Sequence, residues 1–239
     1  MTPDLTVSVH FDLICPWCYI GKRNLDVALA RLAESHPDTK VRVVWRSMQL
    51  LPETPEEGSD FRAFYEARLG SPAAVRARQT QVQAAAARAG VEIDFARIKV
   101  FPNTAMAHRL LDFARVFGDR PQQDALLEHL FAAYFNEGRD IGDFETLMIL
   151  VEASGLDTRG ARLWAAEPYA PRDAVLRRLV SEVPLYEFND QAAISGAQGP
   201  EILYDMICAA IAENRVTVQP SQVTLPIGPA PSSAGRASE

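Results

Sequence analysis

Apolar and polar residues alternate from Thr6 to Leu13. Val7, Val9, Phe11 and Leu13 fall on one side, and Thr6, Ser8, His10 and Asp12 on the other. A period of two predicts a strand. The spacing then turns helical, with Trp17, Ile20, Leu25, Ala28, Leu29 and Leu32. Pro16 suits the first turn of that helix, where its missing N–H would have had no intrahelical partner. Val41, Val43 and Trp45 resume the alternation against Arg42, Val44 and Arg46. Strand, helix and strand predict a right-handed crossover between parallel strands.

From about Pro55 to Val180 helical periodicity dominates. Ala73–Ala89 is rich in strong helix formers. Leu110, Leu111, Ala114 and Phe117 mark a second helix, the stretch Leu126 to Phe135 a third, and Leu147, Leu150 and Val151 a fourth, closed by Gly155. Strand signals return after Pro184. Leu185–Phe188 and Gln191–Ser195 flank Asn189-Asp190, a pair that fits a tight hairpin turn. A last helix is expected from about Pro200 to Ala212. The segment from Asn214 on contains Pro220, Pro226, Pro229 and Pro231, with Ser232, Ser233 and Gly235. It has too little apolar surface to offset its ordering entropy, so a flexible tail is expected. The pattern is an α/β unit (1–54 and 170–213) interrupted by helices (55–169) and followed by a tail (214–239).

The bulk numbers narrow the class. Hydrophobic residues make up 48 % and charged residues 23 %, ordinary for a globular protein. No apolar run approaches the roughly 20 residues needed to cross a bilayer. A net charge of −7 disfavours phosphate backbones, so no nucleic-acid partner is expected. The three cysteines, Cys15, Cys18 and Cys208, are too few for a secreted disulfide scaffold. No Lys or Arg precedes Lys22, so the charged start of a signal peptide is missing and a cytoplasmic location is expected.

Two of those cysteines carry the chemistry. Cys15-Pro16-Trp17-Cys18 stands where a strand becomes a helix. The unpaired N–H groups and the positive dipole end there favour a thiolate at Cys15. Thiol pKa values in such motifs fall to about 3.5–7.5. Cys18, one turn inward, can attack a mixed disulfide formed on Cys15. Half a zinc site is the competing assignment, but four ligands are needed and neither a second Cys-x-x-Cys nor a spaced His pair is present. No metal is expected.

The run Asp12-Leu13-Ile14-Cys15-Pro16-Trp17-Cys18-Tyr19-Ile20-Gly21-Lys22 resembles the active-site signature of DsbA-like thioredoxin-fold proteins, in particular the FrnE-type branch. Three further segments agree in order: Asn103-Thr104-Ala105 through Leu110, Leu130-Phe131 through Ile141, and Val183-Pro184 followed by Ile194 through Gln198. The resemblance spans about Leu5 to Ala212. It implies a thioredoxin-like core with an inserted all-helical domain. It also implies a cis Val183–Pro184 bond facing the disulfide, with Pro184 keeping a backbone N–H away from the sulfurs. Val183 would offer its backbone to an extended substrate segment. The chain departs from the family in placing Ser181-Glu182 before that pair and Leu185-Tyr186 after it, which sets a negative charge near the substrate groove.

The activity implied is thiol–disulfide exchange with protein or peptide thiols, with glutathione or a thioredoxin system as further partners. No cofactor is needed beyond the Cys15–Cys18 couple. Its potential is expected between about −270 and −120 mV. Two alternatives remain. One is glutathione-dependent isomerisation of a small aromatic compound, as in 2-hydroxychromene-2-carboxylate isomerase, a relative that uses Ser where Cys15 stands. The other is a non-catalytic chaperone.

Other residues have two assignments each. Asp12 either relays the proton of Cys18, or pairs with a basic group or caps a turn. Trp17 either contacts substrate or packs under the helices. Asn103 and His108 either overlook the disulfide or take surface and capping roles, the latter favoured. Lys22 is expected to solvate the helix surface, and Cys208 to be a buried core thiol. Phe131, Tyr134 and Phe135 are core by spacing, or part of an apolar groove beside Cys15.

Overall fold

The computed structural model describes residues 4–167, 180 and 182–218. The expected boundary at residue 170 and the tail beyond residue 218 lie outside them. The predicted opening is present: β1 (Leu5–Phe11), α1 (Pro16–Ser35) and β2 (Val41–Ser47). β1 and β2 run parallel, with Val9 opposite Trp45. The hairpin β5 (Leu185–Phe188) and β6 (Ala192–Ser195) adds antiparallel to the other side of β1, giving the order β2-β1-β5-β6. Asn189 and Asp190 both take positive φ (50° and 57°), as a two-residue hairpin of this type requires. The Asn189 side-chain oxygen accepts the Thr6 N–H at 2.8 Å, which pins the turn to β1.

The last helix, α8 (Pro200–Val218), packs with α1 on one face of the sheet. Leu5, Val7 and Val9 meet Leu25, Ala28, Leu32, Leu203 and Ile207 there. α8 continues six residues beyond the expected end at Ala212, so the helix includes residues 214–218 that the sequence pattern assigned to the tail. Cys208 packs beside this cluster but is only half-buried, short of the fully buried position expected for it.

Between β2 and β5 the described residues form six helices: α2 (Phe61–Leu69), α3 (Pro72–Arg88), α4 (Ala105–Phe117), α5 (Arg120–Phe135), α6 (Phe144–Ala153) and α7 (Thr158–Ala166). A two-residue ribbon, β3 (Ser59–Asp60) with β4 (Val100–Phe101), accompanies them. Most start at a side chain that accepts a free N–H of the first turn: Asp60, Ser71, Asp119, Asp143 and Asp157. These helices do not form a core apart from the sheet. Phe11, Leu13 and Ile20 belong to the same buried cluster as Leu110, Phe131, Phe135 and Leu147. Tyr19 stacks on Phe131 with ring centroids 5.0 Å apart.

A charged cluster bolts α1 to α5. Lys22, expected at the surface, is buried; its Nζ lies 2.9 Å from Asp26 Oδ2 and 2.9 Å from Glu128 Oε2. Arg23 also pairs with Glu128, and the Tyr19 hydroxyl donates to Glu128 Oε1 at 3.0 Å. Burial alone would push the Glu128 carboxyl up, but Lys22 and Arg23 outweigh it and hold it below its usual 4.5. A carboxyl depressed by folding stabilises the fold above its unfolded-state value and ceases to do so as pH falls through the folded one. We therefore expect Glu128→Gln to cost about 2 kcal/mol at pH 7, since Lys22 keeps Asp26 but loses its charged contact to α5. Urea titrations should show the gap between wild type and variant shrinking below pH 4.5. A gap constant down to pH 3 would refute this role.

Candidate active site

β1 ends at Phe11, and three residues lead into Cys15, which occupies the N-cap position of α1. The Cys15 N–H donates to the Asp12 carbonyl at 3.2 Å. The Cys15 carbonyl accepts the N–H groups of Cys18 (3.0 Å) and Tyr19 (3.4 Å). The first helical turn is thus closed around the two thiols. No side chain caps this helix end, and no acidic residue stands in its first turn. Cys15 Sγ is 3.8 Å from the carbonyl oxygen of Val183, to which its S–H points. The Val183–Pro184 peptide is cis. Pro184 has no N–H, so the backbone facing the sulfur here presents a carbonyl only.

The two sulfurs differ in access. Cys15 retains 8 % of its exposure and Cys18 1 %, so an incoming group meets Cys15 first. Burial pushes the Cys18 thiol well above its ordinary value. The Cys15 sulfur beside it adds to that effect; the Asp12 backbone N–H opposes it, and the Asp12 carboxylate raises it by a smaller amount again. Cys18 therefore holds its proton at neutral pH and needs a base to give it up.

Asp12 has no exposed surface. Its Oδ1 lies 3.0 Å from His108 Nε2, and its Oδ2 accepts the Leu50 N–H at 2.7 Å. Asp12 thus both pairs with a basic side chain and lies close enough to Cys18 to influence its proton. His108 is buried in α4, with the Phe11 ring set edge-on at 5.5 Å. The favoured surface or capping assignment for His108 is overturned, because the chain folds α4 directly over the end of β1. Asn103 does take a capping role. Its side-chain oxygen accepts from Gln49 (3.0 Å) and from the Ala105 N–H (2.9 Å), and its amide donates to the Thr54 carbonyl (2.6 Å). Trp17 is half-buried against the large apolar cluster.

The apolar surface beside the motif comes from elsewhere than the sequence suggested. Phe131, Tyr134 and Phe135 are fully buried core. A shallow pocket of about 30 Å3 instead joins Pro16 to Phe61, Tyr65, Leu69, Val82 and Phe95. Tyr65 is the neighbour of the motif that sequence inspection missed; within Phe61, Phe64 and Tyr65 it reads as one more core aromatic. Its phenol is pushed up to about 12, first by burial and then by the negative charge of Cys15. Tyr186, opposite Val9 in the sheet, is likewise raised by burial and by both cysteines. Both phenols stay neutral at physiological pH and add no charge beside the sulfurs. Among the described residues no group of three or more His, Cys, Asp or Glu could hold a metal ion. No described helix is long and apolar enough to cross a membrane.

Residues 6–207 match the family described as the DSBA-like thioredoxin domain. An uncharacterised Bacillus subtilis (strain 168) protein, YwbO, is 27 % identical over 205 residues, covering 82 % of this chain and 92 % of its own. The crystal structure of a probable DsbA oxidoreductase from Streptomyces coelicolor superposes with a TM-score of 0.76 at 28 % identity, covering 87 % of this chain and 91 % of that one. A 2-hydroxychromene-2-carboxylate isomerase shares the fold, with a TM-score of 0.58 at 19 % identity over 90 % of this chain and 100 % of its own.

Proposed function

The chain belongs to the DSBA-like thioredoxin-domain family, and from that premise we propose that it exchanges disulfides with protein or peptide thiols through Cys15 and Cys18. The observation that carries this is the placing of the two sulfurs. Cys15 stands at an uncapped helix start against the Val183 carbonyl, and Cys18 lies one turn behind it with its proton retained.

In the reductive direction Cys15, as thiolate, attacks a substrate disulfide and expels one substrate thiolate. Cys18 then loses its proton to a base, for which Asp12 is the buried carboxylate at hand, and attacks Cys15 Sγ. The Cys15–Cys18 bond forms, the mixed disulfide breaks, and the second substrate thiolate leaves and is protonated by solvent. Two electrons have passed to the substrate. The oxidative direction reverses these steps. Val183 offers its backbone to an extended substrate beside the sulfur. Glutathione or a thioredoxin system resets the couple.

Insulin-disulfide reduction with dithiothreitol as the electron source tests this reading. Wild type should accelerate it, and Cys15→Ser should fall by at least about 10³-fold, to the uncatalysed background, because nucleophilic attack is lost entirely. Glutathione-dependent turnover of an aromatic substrate that survives Cys15→Ser would favour isomerase chemistry instead. Protection against aggregation with no redox turnover would favour a chaperone.

A further inference from the structure

We infer that His108, supplied by the inserted helices, is the positioning residue that holds the Asp12 carboxylate ready to take the proton of Cys18. This rests on the oxidoreductase reading above and adds to it a residue 96 positions away in sequence from the acid it serves.

An ionised carboxylate only accepts hydrogen bonds, so the 3.0 Å contact requires the proton on His108 Nε2. His108 Nδ1 is then the acceptor nitrogen, and it is buried with no hydrogen-bond partner. The ring is therefore committed to Asp12 alone. The second carboxylate oxygen is occupied by the Leu50 N–H at 2.7 Å. One donor from the inserted helices and one from the chain after β2 thus fix the carboxylate in a single orientation at the foot of the motif. The other titratable groups that face this site are Cys15 and Cys18 at the start of α1, Tyr65 on α2, Tyr134 on α5, Tyr186 on β5, and Asp140. All three tyrosines are held neutral by burial. Among the described residues the basic side chain that pairs with Asp12 is His108, and no Lys or Arg does so.

Without the His108 donor, a fully buried Asp12 would lose one of its two hydrogen bonds and its fixed orientation. Transfer from Cys18 would slow while capture by Cys15 would not. An aromatic disulfide such as 5,5′-dithiobis(2-nitrobenzoate) separates the two steps in one stopped-flow trace. Attack by Cys15 releases one coloured thiolate and leaves a mixed disulfide; attack by Cys18 closes the Cys15–Cys18 bond and releases the second.

We expect His108→Leu to slow the second release by at least about 10-fold, a part of the roughly 10²–10⁴-fold that a positioned base contributes, with the first release changed less than about twofold. His108→Gln, whose amide N–H can reach Asp12, should recover most of the second rate, and the shorter His108→Asn should not. Asp12→Asn should slow the same phase, and combining it with His108→Leu should add little, since the two act as one unit. The Gln and Asn pair decides the matter even if His108→Leu fails to fold. Equal rates in Gln and Asn variants, or a second phase at the wild-type rate in His108→Leu, overturn the role of His108. Absence of the first release in wild type would instead overturn the oxidoreductase reading itself.

Discussion

Cys18→Ser converts the protein into a covalent trap. Cys15 can still capture a substrate sulfur, because its place at the start of α1 and its approach to Val183 do not depend on Cys18. What disappears is the intramolecular exit. In wild type the resolving sulfur is already held one turn below the mixed disulfide, and such placement is worth effective concentrations of about 10⁵ M or more. An external thiol at millimolar concentration cannot match that. Multiple-turnover insulin reduction should therefore fall by at least about 10³-fold, while a stable protein–substrate adduct accumulates on non-reducing gels. The adduct should vanish on adding excess dithiothreitol and should never form in the double variant Cys15→Ser with Cys18→Ser. An adduct that persists in that double variant would move the nucleophile elsewhere.

The second large effect is expected at Gly21, one helical turn past Cys18. The helix there passes against Pro184 and Tyr186. A Cβ at position 21 would lie 2.2 Å from the Tyr186 hydroxyl oxygen and 3.0 Å from Pro184 Cγ. Alanine is the better helix former by about 1 kcal/mol, but overpacking costs about 1–3 kcal/mol and pushes on the segment that faces Cys15. Gly21→Ala should lower stability by about 2 kcal/mol and reduce insulin reduction through displacement of Pro184. Tyr186→Phe provides the control. The Tyr186 hydroxyl is buried without a hydrogen-bond partner, so removing it should leave stability unchanged or slightly higher. Combined with Gly21→Ala it removes the 2.2 Å collision and should recover at least half of the loss in both urea midpoint and activity. If Tyr186→Phe worsens Gly21→Ala, the close approach is not what makes glycine necessary.

Local patterns exposed the frame of this fold. Alternation marked β1, β2 and the hairpin, because successive side chains of a strand point to opposite faces of the sheet. The Asn189-Asp190 turn and the Cys15–Cys18 spacing were visible for similar local reasons. α2 and α7 were missed: each has nine residues, too few turns for a periodic stripe to stand out. Their capping residues Asp60 and Asp157 were the available signals. Sequence left Asp12 open to a basic partner and His108 open to a place beside the disulfide, but nothing in it joined the two. Lys22 and Glu128, and Asp12 and His108, meet only because α4 and α5 fold back over the end of β1. A lysine on a helix or a histidine beginning one carries no mark of a partner about a hundred residues away. The cis Val183–Pro184 bond was foreseen from family resemblance, since nothing in the local residues distinguishes it from any other Val-Pro pair.

The division of labour between the two thiols can be tested by limiting alkylation. The reduced protein would be treated at pH 7 with substoichiometric iodoacetamide and the labelled peptide mapped by mass spectrometry. Label confined to Cys15, with Cys18 modified only after unfolding, is the predicted result. Label on Cys18 first, or shared equally between the two, would contradict the account.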